Sequence, residues 1–151
     1  MSPERHQFHE WACSRALLRF YDLFDRWDYE GMAALFMPGG AWHRAGKLLQ
    51  GRAAIVAELQ TRSTTQKIRH VLTNLLVDVH DETHAEARCY LTVYRQDSGT
   101  ATSAPALIRA PSLVLVVTAS LVGGVEGWRI ARQAVQREVE FPEASRRRGR
   151  G

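Results

Sequence analysis

The sequence predicts an α+β domain: three N-terminal helices wrapped by a strongly curved, mostly antiparallel sheet that forms a cone. Three observations predict it. The first third of the chain places apolar residues at three- and four-residue spacing, the period of one helix face. From residue 67 onward the pattern changes to alternation, the period of a strand. The alternating runs are separated by turn-forming stretches, His80-Asp81-Glu82-Thr83 and Gly123-Gly124-Val125-Glu126-Gly127, which return each strand beside the one before it. Helices followed by a run of strands give a helical layer against an antiparallel sheet. A bent sheet closed on one side by helices leaves a cone, a shape suited to a small molecule.

Each element has its own justification. Residues 10–27 read as the first helix, with Cys13, Leu17, Phe20, Tyr21 and Phe24 forming its apolar stripe. Asp25 falls at the edge of that stripe, and Asp22 lies further round, where Arg26 offsets it. Asp28 stands where the pattern breaks and is expected to cap a short second helix over 29–36. Pro38-Gly39-Gly40 is expected to turn the chain into a strand around 41–45 carrying Trp42. Gln50-Gly51-Arg52 opens a third helix over 53–61, with Ile55, Val56 and Leu59 inward.

The long strand over 67–79 is apolar on both sides. Ile68, His70, Leu72, Asn74 and Leu76 share one parity, and Val71, Thr73, Leu75, Val77 and Val79 share the other. A sheet apolar on both faces must be covered on both. The expectation is helices on one face and a second subunit on the other, making a homo-oligomer through outer-face residues such as Val71, Leu75, Val77 and Tyr90. The return strand spans 85–95. With an even loop, His70 shares a face with Ala87, Cys89, Leu91, Val93 and Arg95, whereas a slipped register exchanges the two sets. A connection over 96–111, rich in Ser, Thr, Ala and Pro, is long enough to act as a flap. Strands over 113–122 and 128–141 complete the sheet, the last with Trp128, Ile130, Arg132 and Ala134 on one side.

Composition narrows the function classes. A chain of 151 residues with 45% hydrophobic and 24% charged side chains suits one globular domain, expected over 1–142, followed by a basic tail over 143–151. The pI near 9.5 comes from Arg146, Arg147, Arg148 and Arg150; without them the basic side chains equal the 16 acidic ones. No phosphate loop or RNA-type aromatic motif accompanies those arginines, so no nucleic-acid partner is expected. No apolar run approaches the roughly 18–20 residues that span a bilayer, and the N-terminus is too polar for a secretory signal. Two cysteines, Cys13 and Cys89, are too few for a disulfide framework, so a cytoplasmic chain with reduced thiols is expected. His43, His80 and His84 fall near strand ends or turns with no zinc-type spacing, and neither metal nor cofactor is expected.

His70 is the residue that asks for an explanation. An imidazole directed toward a core needs partners for its ring nitrogens. A histidine on such a face is more often a satisfied core residue than a catalyst, and Asn74 more often a structural hydrogen-bonder than a pocket residue.

Taken together, "YDLFDRWDYEGMAALF", the strand with Trp42, the helix after "QGRAAI", "RHVLTN" and the final "GWRIARQAV" resemble the SnoaL-like branch of the nuclear-transport-factor-2-like superfamily. The similarity runs from about Phe8 to Phe141, and it rests on order and spacing rather than on one specific motif. The resemblance implies a cystatin-like cone. Relatives include scytalone dehydratase, hexachlorocyclohexane dehydrochlorinase, polyketide cyclases, ketosteroid isomerases and the small subunits of ring-hydroxylating dioxygenases. In the dehydratase and dehydrochlorinase an aspartate late in the first helix and a histidine opening the long strand form a base dyad, and Asp25 and His70 occupy those positions here. Trp42 matches the family's first-strand tryptophan, and Arg132 matches a basic residue of the dehydrochlorinase. The dehydratase's second histidine is absent, with Arg95 near its place. The implied function is a cofactor-free lyase, of dehydratase or dehydrohalogenase type, acting on a small cyclic or aromatic-like molecule. Tyr21, Trp42, Leu72, Asn74, Arg95 and Arg132 are the candidate substrate-binding residues. The alternatives are an isomerase or polyketide cyclase on the same fold, a non-catalytic dioxygenase small subunit, and a small-molecule binding protein.

Overall fold

The computed structural model describes residues 1–141, so the basic tail expected over 143–151 lies outside the described residues. Helix α1 (Pro3–Asp25) begins earlier than its apolar stripe, because a cap rather than burial sets its exposed end. The Ser2 hydroxyl accepts the Arg5 amide at 3.3 Å, and Pro3 occupies the first turn, where no amide donor is needed. The helix ends with Trp27 in the left-handed region (φ 64°), which lets the Asp28 amide reach back to the Leu23 carbonyl at 3.0 Å. Asp28 then caps α2 (Tyr29–Ala34) as expected, accepting the Gly31 amide at 2.9 Å.

Strand β1 (Phe36–Arg44) runs straight through Pro38-Gly39-Gly40, where the sequence predicted a turn. Its pairing with the last strand shifts between Phe36 and Ala41, so Pro38 falls where no ladder donor is required. Gly40 makes the close approach possible: a Cβ there would meet the Ile130 and Met37 carbonyl oxygens at 3.0 Å. Ala45 and Gly46, both at positive φ, then turn the chain into β2 (Lys47–Gln50), a strand the sequence reading missed. Helix α3 (Arg52–Gln60) follows, and the Arg52 Nε donates to the Phe36 carbonyl at 2.9 Å, tying the helix to β1.

The remaining strands are β3 (Gln66–Val79), β4 (His84–Asp97), β5 (Leu113–Gly124) and β6 (Gly127–Glu140). They form the expected antiparallel meander, extended by a parallel β1–β6 pairing to the order β2-β1-β6-β5-β4-β3. Helix α1 packs across the inner face against β3 and β6. It is pinned at one end where the Trp128 Nε1 donates to the His9 ring at 3.1 Å. Leu17, Phe20 and Met32 of the helical layer meet Leu91, Leu121 and Ile130 of the sheet, and all six are essentially inaccessible to solvent.

Two bulges decide which side chains face that core. The register places His70 opposite Val93 and Leu72 opposite Leu91, which is the even-loop alternative. Between Thr73 and Leu76 the register shifts, with Asn74 in the left-handed region at φ 53°. The extra residue exchanges the two parities. Asn74 is therefore exposed and not in a pocket, Leu76 is 67% exposed, and Leu75 and Val77 pack against the core instead of lying on the outer face. A second bulge lies between Ser120 and Leu121, whose partners on β6 are Arg132 and Ile130. It turns Arg132 outward and exposed, and Gln133 takes the inward place, fully buried. Among the described residues no helix is long and apolar enough to cross a membrane.

Candidate active site

The last turn of α1 delivers Asp25 to the start of β3. One carboxylate oxygen accepts the His70 backbone amide at 2.9 Å, and the other meets the His70 Nδ1 at 2.5 Å. The two-point attachment fixes both the ring and the strand beneath it. It also fixes the tautomer: with Nδ1–H donated to the carboxylate, Nε2 carries the lone pair. Nε2 has no hydrogen-bond partner among the described residues. The pair is nearly removed from water, with side-chain exposures of 5% for His70 and 14% for Asp25. Asp25 and His70 are thus brought together.

Phe24 precedes Asp25 and lies flat against the His70 ring, with centroids 4.6 Å apart and planes 15° from parallel. Tyr21 sits one helical turn earlier, its ring 5.4 Å from that of His70, and its hydroxyl accepts from the Gln133 amide at 3.3 Å. Burial holds the Tyr21 phenol well above its ordinary pKa, so it remains protonated. Burial also pushes the His70 pKa below the ordinary histidine value. The hydrogen bond and charge of Asp25 oppose that shift, and the cations Arg62 and Arg44 add to it. A histidine kept neutral, correctly tautomeric and oriented by a carboxylate is a competent general base.

The structure separates the other candidates. Tyr21 and Trp42 are inside the cone, and Leu72 is half-buried on the same face. Arg95 lies opposite Ile68 at the exposed end of β4. Arg132 and Asn74 are turned out of the cone by the bulges described above. The cone is less hollow than its shape suggested: Phe20, Phe24, Phe36 and Trp42 pack edge to face or tilted across its floor, centroids 5.2–6.5 Å apart. Two open concavities, of about 500 and 330 Å³, lie on the outer face instead. Asp78, Glu86, Arg88 and Arg132 line the larger, and Tyr90, Val114 and Glu138 line the smaller. His70 itself lies on β3, an edge strand of the sheet.

Sequence reasoning missed two cations. The Arg44 guanidinium lies 4.6 Å from the Trp42 ring centroid and 5.6 Å from that of Phe24. Arg62, just beyond α3, lies 4.4 Å from Phe24 and 5.1 Å from Trp27, and donates to the Tyr29 hydroxyl at 2.9 Å. Parity was the available signal for Arg44, which shares a strand face with Trp42 two residues earlier. Arg62 sits in a loop and gave no pattern.

These features define a class: a cystatin-like cone of the nuclear-transport-factor-2-like type, with an Asp–His pair at its edge. The family model for the SnoaL-like domain matches residues 9–134. The chain belongs to the SnoaL-like domain family. Among solved structures, it is similar to a "Putative Scytalone Dehydratase" from Novosphingobium aromaticivorans, with 17% identity over 93% of this chain and 91% of that one and a TM-score of 0.78. It is also similar to Aln2 from a Streptomyces species, with 23% identity, 91% and 93% coverage and a TM-score of 0.72. An NTF2-like protein with a cystatin-like fold, also from Novosphingobium aromaticivorans, is 25% identical over 80% of this chain and 76% of that one, with a TM-score of 0.66. No curated protein matches the sequence significantly.

Proposed function

We propose that the protein is a cofactor-free lyase that removes a proton from carbon and expels a β leaving group from a small cyclic or aromatic-like molecule. The observation that carries this reading is the buried Asp25–His70 pair, with Nε2 left as the lone-pair nitrogen. Nε2 takes the proton, the C–H electron pair becomes the new C=C bond, and the C–O or C–halogen bond breaks with its electrons leaving on the departing group. For a hydroxyl leaving group, the proton on His70 completes the water; for a halide it passes to solvent. Asp25 stabilises the transient imidazolium. The similarity to a protein described as a "Putative Scytalone Dehydratase" supports this reading by fold. Return of the proton to another carbon gives the isomerase variant of the same chemistry.

The packed floor of the cone and the concavities of the outer face favour a second reading, a non-catalytic assembly subunit. In either reading the outer face is the proposed surface for a homo-oligomer, with Val71 and Leu76 exposed there. The test is incubation with a metabolite extract followed by untargeted mass spectrometry. Products lighter by water or hydrogen halide, formed by wild type and absent with His70→Ala, support the lyase. Identical profiles for the two proteins reject it.

A further inference from the structure

Three buried donors around one phenylalanine have no acceptor among the described residues. They are Trp42 Nε1, Arg44 Nη1 and Arg62 Nη2, each inaccessible to solvent and without a hydrogen-bond partner among the described residues. Buried donors in native proteins are almost always satisfied, so three together call for a physical account. All three residues surround Phe24: the Trp42 ring lies 5.7 Å from its centroid, with the guanidinium carbons of Arg44 and Arg62 at 5.6 and 4.4 Å. The His70 ring also lies against Phe24, stacked at 4.6 Å.

Neither arginine makes a salt bridge to a carboxylate within 4 Å among the described residues. Both are instead held by aromatic faces. Arg62 is stacked among Phe24, Trp27 and Tyr29, and the left-handed backbone of Trp27 belongs to the turn that presents its ring. A non-glycine residue in that conformation costs on the order of 1–3 kcal/mol and persists only where its surroundings enforce it. Stacking orients a guanidinium while leaving its N–H edge unspent, the arrangement that recognises a planar oxyanion. Desolvation opposes the charge on both arginines and Arg62 adds repulsion at Arg44; Glu58 and Asp25 offset this only through space, without a salt bridge to either.

We propose that Arg44, Arg62 and the Trp42 indole N–H form a carboxylate-binding site beside the Asp25–His70 pair, so that the substrate is a small planar carboxylic acid in its anionic form. The identification of this ligand as the substrate rests on the lyase reading; the binding site itself does not. A carboxylate held there lies at the edge of Phe24, because His70 covers one face of the ring and the Arg62 guanidinium stacks 4.4 Å from its centroid. It also partly neutralises the two cations that disfavour the imidazolium.

The test uses benzoate as the planar anion and benzamide as its uncharged isostere, measured by calorimetry on the full chain. The expected result is that benzoate binds at least tenfold more tightly than benzamide, and that Arg44→Met and Arg62→Met each weaken benzoate at least tenfold. Arg69→Met, on an exposed side chain, leaves the affinity unchanged. Equal affinity for the two probes, or benzoate affinity kept in both methionine variants, overturns the proposal. A second readout on wild type needs no variant. The His70 pKa, set by burial and by Asp25, Arg62 and Arg44 around it, rises when benzoate is added, and a value that does not move overturns the proposal equally. The site stands if benzoate binds while His70→Ala leaves the metabolite profile unchanged; that outcome rejects the lyase alone.

Discussion

The two faces of one sheet treat charge in opposite ways. On the outer face Asp78, Glu86, Arg88 and Arg132 line an open concavity of about 500 Å³, in water that screens them from one another. On the inner face the charges are few and oriented. Asp25 is bound at two points to His70, while Arg44 and Arg62 are fixed by aromatic rings rather than by counter-charges. The same residue type, arginine, is a solvated surface group in one place and a desolvated cation in the other. The proposed chemistry falls where water is scarce, and electrostatic effects strengthen as the local dielectric falls.

The sharpest way to break that comparison is to disable the inner pair. His70→Ala and Asp25→Asn are each expected to lower turnover by roughly 10²–10⁴-fold, the usual contribution of a positioned general base, with the thermal midpoint of Asp25→Asn little changed. Kinetics on a substrate found by the metabolite screen, alongside calorimetry, checks this. Packing gives the next largest contrast. Leu91→Ala on the inner face should cost about 2–5 kcal/mol in urea unfolding, against less than ~0.5 kcal/mol for Leu76→Ala on the outer face. A loss at position 76 equal to that at position 91 would show that the outer face is itself a core, buried by a partner.

A smaller effect belongs to the turn that leads out of the site. Asp28→Ala removes the cap of α2 and should cost about 1 kcal/mol, with Asp28→Asn largely restoring it. The smallest effect is a pH dependence. His70 has a folded pKa below its unfolded value, so between those two values the unfolded chain binds more protons than the folded one. Stability therefore falls as pH drops below about 6.5 toward the folded pKa, and it is flat above that range. His70→Gln should flatten this limb of the stability curve, read from urea midpoints across pH. The unchanged limb in that variant would assign the effect to another group.

Most of the architecture was legible because it depends on period. The stripe Cys13, Leu17, Phe20, Tyr21, Phe24 and the alternation from Ile68 to Leu72 are set by burial of one face, and both appear as read. Asp25 and His70 could be paired from their places in a resembling family. What failed depends on single residues that break the period. Asn74 in a left-handed conformation and the extra residue between Ile130 and Arg132 each exchange the faces of a strand, and nothing in the side-chain pattern announces either. Strand β2, from Lys47 to Gln50, is too short to show a period. Arg62 was invisible for another reason: an arginine after a helix reads as a solvated end until its aromatic neighbours are known.

The arrangement of the Asp25–His70 pair is open to direct observation by nitrogen-15 and proton spectra of the imidazole. The structure predicts an Nδ1–H tautomer, with a strongly downfield, slowly exchanging proton that disappears in Asp25→Asn. An Nε2–H tautomer, or an imidazole proton spectrum that Asp25→Asn leaves untouched, would contradict it.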